Sequence, residues 1–172
     1  IVAASPKIIH GGMRNTIWWR GWYLSWGFYK FHKLTNLKKK RIYDDKSYSG
    51  IKETDAITGC CSVYKTNILK LSGLGDEVFF FGPEDFDLSF RLKKFGKLVV
   101  NLDIKTFHLL TQSSKISGWL SRSYYEAKGF LILIKKHGSF FDKLIGYLYF
   151  ILRIPYFIIL LIFNKRDKDR VY

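Results

Sequence analysis

The stretch Gly82-Pro83-Glu84-Asp85-Phe86-Asp87-Leu88-Ser89-Phe90-Arg91 admits little besides a helix, and it determines where the rest of the chain can gather chemistry. Proline is tolerated in a first helical turn, where its missing N–H removes no bond, and acidic side chains there complement the partial positive charge of the helix N-terminus. A helix is therefore expected to start near Pro83. Leu88, Leu92 and Phe95 follow at spacings of four and three as one apolar stripe, with Asp85 one turn ahead of Leu88 on the same face. Asp85 is thus expected to point inward, kept ionised by backbone N–H groups and placed to accept a proton from a substrate hydroxyl. Asp87 and Arg91, four apart on a neighbouring face, are expected to pair, and Gly96 to stop the helix. An acidic first turn is a common capping device, so its surroundings have to carry any functional reading.

Composition sets the frame around this helix. With 172 residues, 48% of them hydrophobic and 18% aromatic, the chain can bury one domain of ordinary size plus an appendage, which excludes a disordered polymer. Lys and Arg number 29 against 14 Asp and Glu, a net charge of +15, which suits polyanionic partners: nucleic acid, anionic lipid or phosphorylated substrates. Charge alone does not choose among them. Cys60 and Cys61 are adjacent and no Cys-x-x-Cys occurs, so neither a routine disulfide nor a zinc site is indicated, and reduced thiols in a cytoplasmic protein are expected. No signal peptide is visible, and a start at Ile1 rather than Met reads as a fragment or a processed product.

Along the chain, Ile1 to Ile9 reads as a buried strand broken by His10-Gly11-Gly12. Asn15 to Phe31 carries Trp18, Trp19, Trp22 and Trp26, as a strand pair walling a core or a sugar-binding cleft, or else as a base-stacking surface. Residues 33–52 read as a polar loop. Within it, Lys38-Lys39-Lys40-Arg41 is a solvated run or a contact for anionic headgroups, and Asp44-Asp45 a solvated turn. Asp55 to Tyr64 reads as a buried strand in which Gly59 permits close backbone approach, and Lys65 to Leu71 as a short helix ended by Gly73. Leu98–Asn101 and Lys105–Leu109 are β-prone pieces that bring His108 to a strand end. Ser117 to His137 reads as a helix with Leu120, Tyr124, Ala127, Leu131 and Ile134 on one stripe.

Leu144 to Phe163 is then twenty residues whose only charge is Arg153, interrupted by Gly146 and Pro155. That length suffices to cross a bilayer, yet a central Arg costs about 2.5–3.5 kcal/mol on insertion scales. A span, a re-entrant hairpin and an interfacial helix all remain open for the segment at about 140–163. The tail Asn164-Lys165-Arg166-Asp167-Lys168-Asp169-Arg170 is basic and expected in the cytoplasm.

The order Thr54-Asp55, Gly59-Cys60, Gly73, Asp76-Glu77, Phe79-Phe80, Glu84-Asp85-Phe86-Asp87-Leu88, Arg91, Gly96, His108 resembles the C-terminal half of the catalytic domain of family-2 glycosyltransferases. These are inverting enzymes of the GT-A fold, including rhamnosyltransferase-like makers of cell-surface glycans. The likeness runs from about Ile1, with Val2-Ala3-Ala4-Ser5-Pro6-Lys7-Ile8 and Ile17-Trp18-Trp19 as two of that family's strands, to His108. The nucleotide-binding half with its Asp-x-Asp metal motif has no counterpart, and Asp44-Asp45 does not replace it. The Arg-Asn pair that the family often has in the following helix is also missing, with Tyr124-Tyr125-Glu126-Ala127-Lys128-Gly129 in its place.

The resemblance implies an α/β fold: a partial GT-A, Rossmann-like domain with a mixed sheet at residues 1–115, and a helical, membrane-associating appendage at 116–172. It implies sugar transfer from a nucleotide-diphosphate donor to a hydroxyl of a glycan or lipid-linked acceptor, for polysaccharide or glycolipid synthesis at the cytoplasmic face of the cell membrane. Asp85 becomes the catalytic base, Glu84, Gly59, Cys60 and Trp19 substrate-binding residues, and His108 a metal- or diphosphate-facing ligand. For Cys60, tight packing stays equally open, as does a structural role for His108. A divalent cation, manganese or magnesium, is expected mainly on the missing half. The rival is a non-enzymatic basic module for membrane surfaces or nucleic acid. It accounts for the +15 charge but gives no reason for the ordered Asp55, Gly59, Glu84-Asp85 and His108.

Overall fold

The computed structural model describes residues 1–13, 15–23, 42–80, 82–109 and 119–163, with backbone alone at 119–123, 153 and 156–163. The Lys38-Lys39-Lys40-Arg41 run, Trp26, Leu120 as part of a stripe, and the tail 164–170 lie outside the described residues.

The fold is built on a parallel pair. β1 (Ala3–His10) runs beside β5 (Leu98–His108), with Ala3 opposite Leu98 and His10 opposite His108. Around them lie the short antiparallel strands β2 (Ile17–Trp19) and β4 (Val63–Tyr64) on the far side of β1, and β3 (Ile51–Thr54) on the far side of β5. The sheet is therefore mixed, and the architecture is α/β as expected. Pro6 explains an irregularity at its centre. Having no N–H to give the ladder, it sits where the register slips, so that Pro6 faces Asn101 but Lys7 faces Lys105.

Four helices follow: α1 (Thr66–Leu71), α2 (Glu84–Lys93), α3 (Trp119–His137) and α4 (Phe140–Phe163). Val2, Ala3, Ile57, Leu92 and Leu98 pack the first end of the sheet against α2. Ala56, Phe79, Phe86 and Leu133 join α2 to α3, and Ile8, Trp19, Val100 and Leu102 fill the space at the middle of the strands. Trp19, expected at a substrate wall, is 5% exposed and belongs to this last core cluster, where its indole Nε1 finds no hydrogen-bond partner among the described residues.

Several local expectations change. The strand placed at Asp55–Tyr64 lies earlier, at β3. Thr54 closes it: its Oγ1 accepts the Trp22 N–H at 2.8 Å and lies 2.8 Å from the Ala56 carbonyl, which satisfies backbone groups where the ladder ends. Phe95 and Tyr124 are exposed rather than on inner stripes, and the buried side of α3 is carried by Leu133 and Ile134. The two β-prone pieces near His108 are one continuous strand. Among the described residues no helix is long and apolar enough to cross a membrane.

Asp44 also departs from expectation. Its side chain is 4% exposed and bridges the ammonium of Lys7, itself 3% exposed, and that of Lys105, each at 2.5 Å. Burial pushes its carboxyl up, but the two cations outweigh this and hold it below the usual range. Asp45 remains an exposed turn residue accepting from the Ser47 N–H at 2.8 Å. Asp44→Ala, which leaves Lys7 buried without its counter-charge, is expected to cost about 3 kcal/mol in chemical denaturation, and Asp45→Ala less than about 1 kcal/mol. Equal losses would mean that the Lys7 ion pair carries no net stability.

Candidate active site

The N-terminus of α2 is prepared by backbone geometry rather than by a capping side chain. Gly82 has φ +118, open to glycine at little cost, and a side chain there would press on the backbone of α3 at Glu126, 3.3 Å from the Cβ position. Pro83 follows, buried, and the first turn then presents Glu84, Asp85 and Asp87.

Two ties draw the loop after β3 onto this turn. The Ser89 hydroxyl, one turn after Asp85, donates to the Asp85 carbonyl at 2.6 Å and accepts the Ile57 N–H at 3.1 Å. At the other end of α2, Lys93 pairs with Asp55 at 2.5 Å. Held this way, Thr58 and Gly59 lie directly against the Asp85 carboxyl. The Thr58 hydroxyl and the Gly59 N–H bond to it, and a Cβ on Gly59 would stand 2.6 Å from its Oδ1.

Burial is the largest influence on Asp85. It outweighs the bonds from Gly59 and Thr58 and raises the carboxyl above the usual range. The side chain points inward as expected, but its N–H bonds do not hold the charge at an ordinary value. Glu84 is exposed as a residue, yet crowding about its carboxyl and the neighbouring Asp85 charge raise it too, against bonds from its own N–H and that of Gly82.

Hydroxyls complete the neighbourhood. Ser62 donates to the Thr58 carbonyl at 2.6 Å and meets the hydroxyl of Ser5 in the sheet. The half-buried Tyr64 phenol is raised chiefly by burial and further by the Asp85 charge. Cys60, an exposed residue, donates its N–H to Thr58 Oγ1 at 3.3 Å, and partial desolvation of its sulfur, then Cys61 and Asp85, push its thiol up, so it is a protonated neighbour rather than a thiolate nucleophile. Asp85, Glu84, Gly59 and Cys60 are thus brought together. Thr58, Ser62, Tyr64 and Ser89 join them without having been singled out. The sequence signal for Ser89 was a small polar residue one turn after Asp85.

His108 is not part of this group. It ends β5, as expected, but its partner His10 lies five positions along β1 from Ser5, roughly 17 Å at strand rise. Its ring stands edge-on to Trp18, with centroids 4.6 Å apart. Among the described residues no group of three or more His, Cys, Asp or Glu could hold a metal ion, so these side chains do not form a cation site by themselves.

Asp87, two residues beyond Asp85, has a different environment. It is fully buried and meets Arg91 at 2.8 Å, Lys136 at 2.6 Å and His137 at 2.7 Å. The expected pairing with Arg91 is present, within a larger cluster that also ties Lys136 to Asp76 at 2.6 Å. Burial raises Asp87, but the bonds from His137, Lys136 and Arg91 prevail and lower it.

No protein-family model matches this chain, and no curated protein matches it. The geometry therefore carries the functional argument, and the contact between Gly59 and Asp85 is its most exposed point. Gly59→Ala is expected to destabilise the fold by about 1–3 kcal/mol through overpacking against the carboxyl. In an Asp85→Ala background most of that cost should vanish, a coupling that a double-mutant cycle of denaturation midpoints reads directly. Additive costs would show that the loop does not press on Asp85.

Proposed function

We propose that these residues form the acceptor-side half of an inverting GT-A-type glycosyltransferase acting at the cytoplasmic face of a membrane. The donor is a nucleotide-diphosphate sugar, and the acceptor is a hydroxyl on a glycan or a lipid-linked sugar. The observation that supports this reading is Asp85: a carboxyl with a raised pKa at a helix N-terminus, pressed on a glycine loop and flanked by Glu84. A carboxylate whose pKa lies above the ordinary range is a stronger base than a solvated aspartate and is still able to ionise.

In the proposed step, an Asp85 carboxylate oxygen takes the proton of the acceptor hydroxyl. The acceptor oxygen forms a bond to the anomeric carbon from the side opposite the diphosphate, the carbon–oxygen bond to the diphosphate breaks, and the nucleoside diphosphate leaves. Glu84 orients hydroxyls beside the base, and Gly59 and Cys60 stand beside the acceptor. Trp19, being core, is not assigned to substrate, and His108 takes no part in proton transfer. The divalent cation implied by the resemblance is assigned chiefly to residues outside this chain, and no step here depends on it.

Asp85→Asn in the longest natural form of the protein is expected to lower turnover by about 100-fold with donor affinity nearly unchanged, measured across a panel of nucleotide sugars. The same variant should raise the melting temperature at pH 7. The folded pKa of Asp85 lies above its unfolded value, so its proton-linked stability is present below that unfolded value, about 3.9, and is lost as pH rises through the folded one. Asp87 has the opposite sign: its contribution is present at pH 7 and is lost as pH falls through its depressed folded pKa. Asp87→Asn should therefore lower stability at pH 7, by about 3 kcal/mol. Near-normal turnover of Asp85→Asn would remove the base assignment.

A further inference from the structure

The last helix leaves a broad apolar side open to solvent. α4 touches the rest of the fold through α3, where Gly146 lies so close to Ile134 that a Cβ would stand 2.8 Å from Ile134 Cδ1. The half-buried residues on the side of this contact are Asp142, Lys143, Gly146, Tyr149 and Phe150, with Asp142 accepting from the Ser139 N–H at 2.9 Å and from its hydroxyl at 2.7 Å at the helix start. The opposite side is apolar and open to solvent: Phe140-Phe141, Leu144-Ile145 and Ile151-Leu152 are all exposed, Phe140 at 75% and Leu152 at 68%. A soluble helix buries its apolar side and shows its charges. Over about 21 Å of helix, from Phe140 to Ile154, this one leaves a wide apolar side uncovered.

Breadth and charge select the occupant. The exposed residues come as adjacent pairs once per turn, so the apolar surface covers about half the helix circumference, wider than the seam by which a second helix packs. Lys135 is exposed in the last turn of α3, and the sequence after Phe163 carries Lys165, Arg166, Lys168 and Arg170 against Asp167 and Asp169. The whole chain carries +15. A broad apolar side with basic neighbours complements the headgroup boundary of an anionic bilayer.

We infer that α4 docks in the plane of an anionic membrane, its outward apolar side sunk at the acyl boundary and its other side held against α3, and that it does not cross. This rests on the membrane location proposed above and not on the transfer chemistry. It fits the absence, among the described residues, of a helix long and apolar enough to span.

The test is co-sedimentation of the 172-residue chain with phosphatidylcholine vesicles containing about one-third phosphatidylglycerol. The Leu144→Glu/Ile151→Glu variant should bind at least about 10-fold more weakly. Both positions are exposed, so its far-ultraviolet circular dichroism and melting should match the parent. Ile51→Glu, equally exposed on the edge strand β3, should bind as the parent does. Alkaline carbonate should release the parent from the vesicles.

No binding to anionic vesicles, equal binding by the double variant, or resistance to carbonate would each overturn the inference, the last by showing insertion. A dimer in analytical ultracentrifugation that the double variant dissociates, without vesicle binding, would assign the surface to a second copy instead. No donor or acceptor enters these measurements, so their failure would leave the role of Asp85 to its own assay.

Discussion

The buried carboxylate of Asp87 is the interaction on which the arrangement of helices depends. Arg91 reaches it from its own helix and Lys136 and His137 from the end of α3, so one anion joins two helices that otherwise meet through the Phe79, Phe86 and Leu133 cluster. Arg91 also donates to the Ser72 carbonyl after α1, and Lys136 to Asp76, which extends the same cluster into the connection before α2. A buried charge is costly unless its lone pairs are filled. Here Arg91, Lys136 and His137 fill them, and α2 is tied to the end of α3 as a consequence. The first turn of α2 is tied to the loop at Gly59 separately, through Ser89, Ile57 and the Lys93–Asp55 pair.

Two residues earlier the same helix carries a carboxylate of opposite character. Among the described residues no cation pairs with Asp85; it has a glycine N–H, a threonine hydroxyl and burial, and burial prevails. Pairs of acids whose surroundings push their pKa values apart commonly divide structural from chemical duty. Asp87 stabilises in its charged form, whereas Asp85 destabilises in its charged form, which is the cost expected of a group kept for proton transfer. The proposed transferase chemistry draws on this contrast within one turn of helix.

Much of this was legible in the sequence where local rules govern. The proline and acids at 83–87 announced the helix, the Gly59 position announced a close approach, and β1, β2, α1 and the strand-end place of His108 follow from β-branched runs and glycine breaks. What was not legible depends on contacts between distant segments. Asp44 reads as a solvated turn because Lys46 is its neighbour in sequence, whereas Lys7 and Lys105 are its neighbours in space. The strand near Gly59 was misplaced because Thr54 ends the ladder with a side-chain bond that periodicity does not register. Trp19 has the amphipathic ring of a binding residue, and only the sheet register turns it into the core. The Asp87 cluster needed the end of α3, fifty residues away, to be brought back onto α2.

The central claim is that Asp85 and Asp87, on one helical turn, are driven in opposite directions by their surroundings. Carbon-detected nuclear magnetic resonance of the side-chain carboxyls, followed through an acid titration of the folded protein, measures both at once. The account predicts that Asp85 titrates above the ordinary aspartate value of 3.8 and Asp87 below it, within the same sample. Coincident titrations, or Asp85 ionising at the lower pH of the two, would contradict it.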